Sequence, residues 1–254
     1  MVDRKRRGMV SQDQWAAQVA ALGTPAKVRR RREPLTVERI VQAALAIVES
    51  EGFDALTMRR VAAALDATQG ALYAHVRDKA ELDDLMVGRV CSQVELPEPD
   101  GERWIEQALA VCRGLRDQYL RYPGIWRATV AGAPHSLDTL RINEALLAIL
   151  TAGGISLRSA AWAVDAAFLY IGAYSVVAPR RTTAPDPEGE LSGREEVVAR
   201  LAMLPPDLLP LTVASMAEAN SGEGHERFDF TLSLLFGGLS SASEGSTARA
   251  RTLR

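Results

Sequence analysis

Cysteine and histidine are scarce in this chain, and their scarcity removes whole classes of chemistry. The two cysteines, Cys91 and Cys112, lie in apolar runs with neither zinc-ligand spacing nor the density of a disulfide scaffold, which suits a reducing cytoplasm. The three histidines, His75, His135 and His225, stand far apart, and there is no phosphate-cradling glycine loop, nucleophile elbow or metal-ligand spacing. Neither an enzymatic activity nor a metal or cofactor is expected. No apolar run reaches the roughly 18 to 20 residues of a membrane-spanning helix, and the N-terminus lacks the apolar core of a signal peptide, so no membrane partner is expected. Disorder of the whole chain is also disfavoured, since 254 residues at 47% apolar and 24% charged can build a sizeable core or a small domain joined to a larger one.

A net charge of -2 argues superficially against a polyanionic partner, but the sum hides an asymmetry. Residues 1 to 35 carry nine Lys and Arg, among them Arg29, Arg30, Arg31 and Arg32, against Asp3, Asp13 and Glu33. Such a run is either a solvated tail or an arm that neutralises phosphates in a salt-dependent, sequence-independent way. Ahead of the run, "SQDQWAAQVAAL" has a capping pattern, Ser11 with Gln14, followed by Trp15, Val19 and Leu22 at helical spacing.

From Thr36 the helical signals strengthen. Thr36 can cap a helix whose Ile40, Ala44, Ile47 and Val48 share a face, with Gly52 as its stop. Thr57 caps a shorter helix carrying Met58, Val61, Ala62 and Leu65 on one side. The period then breaks for two or three residues at Asp66, which tolerates the left-handed region, and resumes under a Thr68 cap. Two short helices with so tight a joint form the pattern of a helix-turn-helix, whose second helix enters the DNA major groove. Asp78 and Glu81 form another capping box and open a helix bearing Leu82, Leu85, Met86 and Val90.

Over residues 35 to 90, "LTVERIVQAALAIVESEGFDALTMRRVAAALDATQGALYAHVRDKAELDDLM" resembles the DNA-binding domain of the TetR (tetracycline-repressor) family. Asp66 departs from the family's usual turn glycine, and Ala71 departs by offering only a methyl group. The resemblance implies that Arg59 reaches a base or phosphate, that Gln69 reads a base, and that Tyr73 and Lys79 contact the DNA backbone with His75 beside them. Arginine suits guanine and an amide suits adenine. Gly70 and Ala71 are small enough for close approach to the groove floor, and the caps Thr36 and Thr57 can also offer helix N-termini to phosphates.

The remainder reads as helices over 102–121, 124–131, 137–151, 156–178, 192–203, 207–219 and 225–240. "TTAPDPEGELSG" reads as a mobile loop and residues 241–254 as a flexible tail. "YPGIWRA", "TAGG" and "AAFLYIGAY" resemble the ligand-binding and dimerisation half of the same family. The fold expected is therefore all-α. It comprises a basic extension over 1–34, a three-helix DNA-binding domain over 35–92 and a larger effector-binding and dimerisation domain over 100–240.

That resemblance implies an isologous homodimer through "SAAWAVDAAFLYIGAYSVVA" and "RFDFTLSLLFGGL", reading a palindromic operator in double-stranded DNA. It also implies a pocket for a small-molecule effector that releases the repressor. Trp104, Tyr119, Trp126, His135, Trp162, Phe168, Tyr170 and Tyr174 are the aromatic candidates for its lining. Composition leaves open a rival, an architectural DNA-binding protein with no effector.

Overall fold

The computed structural model describes residues 13, 16, 34–130, 136–182, 199–200, 203–204, 208–220 and 224–252; residues 130, 179–182, 216–220 and 240–252 are described by their backbone alone. Met1–Pro34 and Leu35–Arg254 are separate units. Of the first, Asp13 and Ala16 are helical and exposed, within the helix expected near Ser11. Arg29 to Arg32 lie outside the described residues, as does most of the loop 182–193.

The second unit starts with α1, Val37–Glu51, whose Thr36 cap accepts a hydrogen bond from the Arg39 N–H at 3.2 Å. Ile40, Ala44, Ile47 and Val48 are buried on one face, as their spacing requires. Gly52 at φ 82° ends the helix and donates its N–H to Val48. A 3-10 turn at Phe53–Ala55 leads to α2, Met58–Ala64, which Thr57 caps through the Arg60 N–H. Asp66, at φ 49°, is the one non-glycine residue with positive φ among the described residues. There Ala67 N–H donates to Ala62 and Asp66 N–H to Ala63, closing the paired bonds of a left-handed helix C-cap. The turn role that its sequence suggests is what Asp66 performs.

Thr68 caps α3, Gln69–Tyr73, and Asp78 caps α4, Lys79–Cys91. The capping box at α4 is shifted: Asp78 accepts from the Glu81 N–H at 2.8 Å, but the Glu81 carboxylate reaches the Arg77 N–H at 2.6 Å. Beyond α4 come α5, Trp104–Arg121; α6, Trp126–Val130; α7, Leu137–Ala152; α8, Leu157–Thr182; α9, Pro210–Asn220; and α10, Glu226–Thr252. No strand occurs among the described residues, in keeping with the all-α expectation.

Helix α5 is the centre of the larger half and touches α4, α7, α8 and α10. It contributes Ala108, Val111, Cys112 and Leu115 to a core that runs without interruption from Ile40 to Phe236. Helix α4 joins the halves, meeting α1 on one side and α6 and α7 on the other.

Two expectations change. The segment read as a tail from residue 241 is helical to Thr252, because its Ala, Ser, Glu and Arg residues tolerate helix and Gly245 alone costs only about 1 kcal/mol. Helix α8 also contains a stretch, Leu157–Ala178, with mean hydropathy 1.5, long and apolar enough by composition to cross a membrane. The expectation that no segment reaches that length is therefore corrected: Arg158 and Asp165 interrupt the apolar run, but its many small residues keep the average high. One face of that helix, with Ala160, Ala163, Val164, Ala167 and Ile171, is buried in the core.

Candidate functional site

The short helix α3 has only Leu72 buried. Gln69, Gly70, Tyr73 and His75 are exposed, Tyr73 by half its surface, and Ala71 is half-buried. A Cβ added at Gly70 would meet nothing closer than Thr68 Oγ1 at 3.9 Å, so the protein's own packing does not demand glycine there. Arg59, on the exposed side of α2, carries no ion pair among the described residues, whereas its neighbour Arg60 pairs with Glu51. Thr36 and Thr57 are both exposed and both act as caps.

Lys79, expected at the DNA backbone, already has partners within the chain. It pairs with Asp83 Oδ1 at 2.5 Å and lies 4.4 Å from the centre of the Phe53 ring, leaving it half-buried. Both contacts are made by the ammonium itself, which is held between a carboxylate and an aromatic face. Burial outweighs the lysine's influence on Asp83 and raises that carboxyl above its ordinary range.

The "YPGIWR" segment between α5 and α6 clasps the reading head. Phe53 N–H donates to the Pro123 carbonyl at 2.9 Å, and Arg121 donates to Glu49 at 3.0 Å. Arg127 grips both oxygens of Asp54, at 2.7 and 3.2 Å. Gly124 sits at φ 84°, and a Cβ there would lie 3.0 Å from Phe53 Cβ, so close approach and backbone conformation both require glycine.

Next to this clasp is a cavity of about 430 Å³ enclosed by α4, α5, α6, α7 and α8. Its closed end is formed by Cys91, Leu115, Tyr119, Ile142 and Gly172, all buried. Trp126 and Phe168 line its sides, and Leu140, Ala161, Asp165 and Leu169 form its exposed edge. Burial pushes the Cys91 thiol up to about 11 despite its contact with Thr139, and holds the Tyr119 phenol well above its usual range. Both are therefore neutral near pH 7, and Tyr119 has Thr129 as a hydrogen-bond partner.

Of the aromatic residues expected at a pocket, Tyr119, Trp126 and Phe168 meet here. The others have different work. Trp104 is buried over Gly153 at the end of α7. Trp162 is exposed under the Arg158 guanidinium, 4.6 Å from its ring centre. Tyr170 stacks on Phe228 at 5.6 Å, and Tyr174 packs on the same ring and meets His225 Nδ1 at 2.9 Å. Arg116 covers Phe228 at 4.8 Å, completing the joint between α5, α8 and α10. His135 lies outside the described residues.

Sequence reasoning overlooked the polar lining residues Thr129, Thr139, Asn143 and Asp165. Aromatic content guided the search, whereas the available signal was a lone carboxylate in the apolar "AAWAVDAAF" and the i, i+4 pair Thr139 and Asn143.

Residues 40–83 match the bacterial regulatory proteins of the tetR family, and residues 96–242 match the tetracyclin repressor-like C-terminal domain. The HTH-type transcriptional repressor DrrR1 of Streptomyces coeruleorubidus is 31% identical over 223 residues, 83% of this chain and 79% of that protein. The apo structure of ActR from Streptomyces coelicolor superimposes with a TM-score of 0.74 at 30% identity, over 84% of this chain and 99% of that one. ActR in complex with actinorhodin gives 0.73 at 31% identity, over 83% and 99%. With a helix-turn-helix presenting an unburied reading face and a cavity one helix away, the chain belongs to the TetR family of ligand-responsive, DNA-binding transcriptional regulators.

Proposed function

We propose that this chain is a cytoplasmic, homodimeric repressor that binds a palindromic operator and leaves it when a small molecule enters the cavity. Gln69 reads a base and Arg59 a base or phosphate; Tyr73, His75 and Lys79 hold the DNA backbone. Gly70 and Ala71 let α3 approach the groove, and the N-termini capped by Thr36 and Thr57 face phosphates. Arg29 to Arg32 add sequence-independent attraction. The observation that carries the reading is the span of α4: Cys91 at its C-terminal end lines the cavity, while Lys79 at its start adjoins the reading head. A molecule that fits the cavity better with one setting of α4 shifts the population of reading-head positions by its differential affinity.

The dimer is supported by the outer sides of α8 and α10. Trp162, Phe230 and Leu234 are each 62–64% exposed, more large apolar surface than an isolated chain ordinarily leaves uncovered. Isologous pairing of those helices would give two reading heads related by a two-fold axis, as a palindrome requires.

Selection of preferred duplexes from a random pool tests the reading. The expected product is a palindrome bound roughly 10³-fold or more tighter than random DNA at fixed salt. Equal affinity for all duplexes would support the architectural alternative instead. Gln69→Ala should relax the selected sequence, and an unchanged preference would remove the role given to that amide.

A further inference from the structure

The described lining of the cavity carries a single charge. Among its described lining residues there is no Lys, Arg or His, and Asp165 is the one carboxylate. Asp165 stands at the exposed edge with Leu140, Ala161 and Leu169, and it forms no hydrogen bond or ion pair among the described residues. Two arginines on the helices that form this edge are engaged elsewhere: Arg158 lies over Trp162, and Arg141 pairs with Asp138. Farther in, the polar groups are the neutral ones of Tyr119, Thr129, Thr139 and Asn143 and the buried indole N–H of Trp126, beside the rings of Tyr119, Trp126 and Phe168.

This arrangement discriminates by charge. An anion that enters gives up its water, meets no cation among the described lining residues and is repelled by Asp165. A neutral molecule gains burial alone. A cation with a flat apolar body gains burial, the attraction of Asp165 and the electron-rich faces of the aromatic walls. Resting on the reading of the cavity as the effector site, we propose that the effector is a planar aromatic molecule bearing a protonated nitrogen, its rings among Tyr119, Trp126 and Phe168 and its cationic group at Asp165. The amide of Asn143 and the buried indole N–H of Trp126, unpaired among the described residues, then select for oxygen substituents on the ring system, since the Thr129 and Thr139 hydroxyls are bonded to Trp126 and to Ser136.

Binding of two tricyclic fluorescent probes to the full chain, without DNA, tests the proposal. Aminoacridine is a cation near neutral pH, and anthracene carboxylate is an anion of similar size. Aminoacridine should bind about tenfold or more tighter, the difference between attraction and repulsion in a partly screened site. Asp165→Asn should shrink that preference to roughly twofold, and Asp165→Lys should reverse it; both changes are at an exposed helical position that folding tolerates. Ala161→Trp, also exposed, should obstruct the mouth and weaken both probes. Equal binding of the two probes, blocked by Ala161→Trp but indifferent to Asp165, overturns the charge selection and leaves the effector cavity standing. Binding that ignores Ala161→Trp, or no binding of either probe, overturns both readings.

Discussion

Gly153 determines where Trp104 can lie. A Cβ on Gly153 would fall 2.3 Å from the indole Cγ, and the ring cannot retreat because it is buried. Gly153→Ala should therefore destabilise the protein by about 1–3 kcal/mol, measured by chemical denaturation; an unchanged midpoint would show that the indole has room to move. His225 sets a pH dependence of its own. Burial, and after it the Arg116 guanidinium, holds its imidazole below the ordinary 6.5, against weaker opposing effects of Asp117 and Asp229, while Tyr174 hydrogen-bonds its ring. The folded state thus binds fewer protons than the unfolded state at and just below about pH 6.5. The stability linked to this histidine is complete above that pH and is lost as pH falls through the folded value. His225→Gln should flatten the decline in melting temperature between about pH 7.5 and 5.5, and an equal decline in both proteins would assign the loss to other groups.

At the level of elements, the helix-turn-helix was legible because its signals are local: Thr57 and Thr68 cap, and Asp66 turns, through atoms a few residues away. The clasp between halves was not legible, since Arg127 and Asp54 are 73 residues apart and nothing in their neighbourhoods announces the pairing. Both side chains of this pair are half-exposed or more, so screening limits its worth to about 0–1 kcal/mol of stability. Its larger effect is on the orientation of the 3-10 turn that carries Phe53 and, through it, Lys79. Arg127→Ala should leave the denaturation midpoint nearly unchanged while lowering operator affinity roughly three- to tenfold, because binding must then order a looser head. A parallel loss in both measurements would make the clasp a simple stabilising contact.

For the whole molecule, the surface that tests the proposed dimer is the pair of outer faces on α8 and α10. Phe230→Glu together with Leu234→Glu alters exposed positions and so should leave the fold intact. It should halve the mass seen by sedimentation and reduce affinity for a palindrome by roughly 10²-fold or more, since two linked half-sites gain from effective concentration. A wild-type chain that sediments as a monomer would dismiss this face as the dimer contact. The proposed dimer would account for the membrane-like hydropathy of α8, since a helix covered by its own core on one side and by a partner on the other needs little polar surface.

Composition, caps and helical period by themselves determined that this protein is all-helical, that a helix-turn-helix starts near Thr57, and that Gln69 and Tyr73 are left outside the core. Those features depend on neighbours within one or two turns, which a linear pattern contains. The tertiary structure alone decided that Tyr119, Trp126 and Phe168 share a cavity while Trp104, Trp162, Tyr170 and Tyr174 do not. An aromatic ring at helical spacing packs equally well against a core, a glycine, an arginine or an empty space, and only the crossing of α4, α5, α6, α7 and α8 selects among them. The same crossing brought Asp165 to the edge of that space, where its charge acquires meaning.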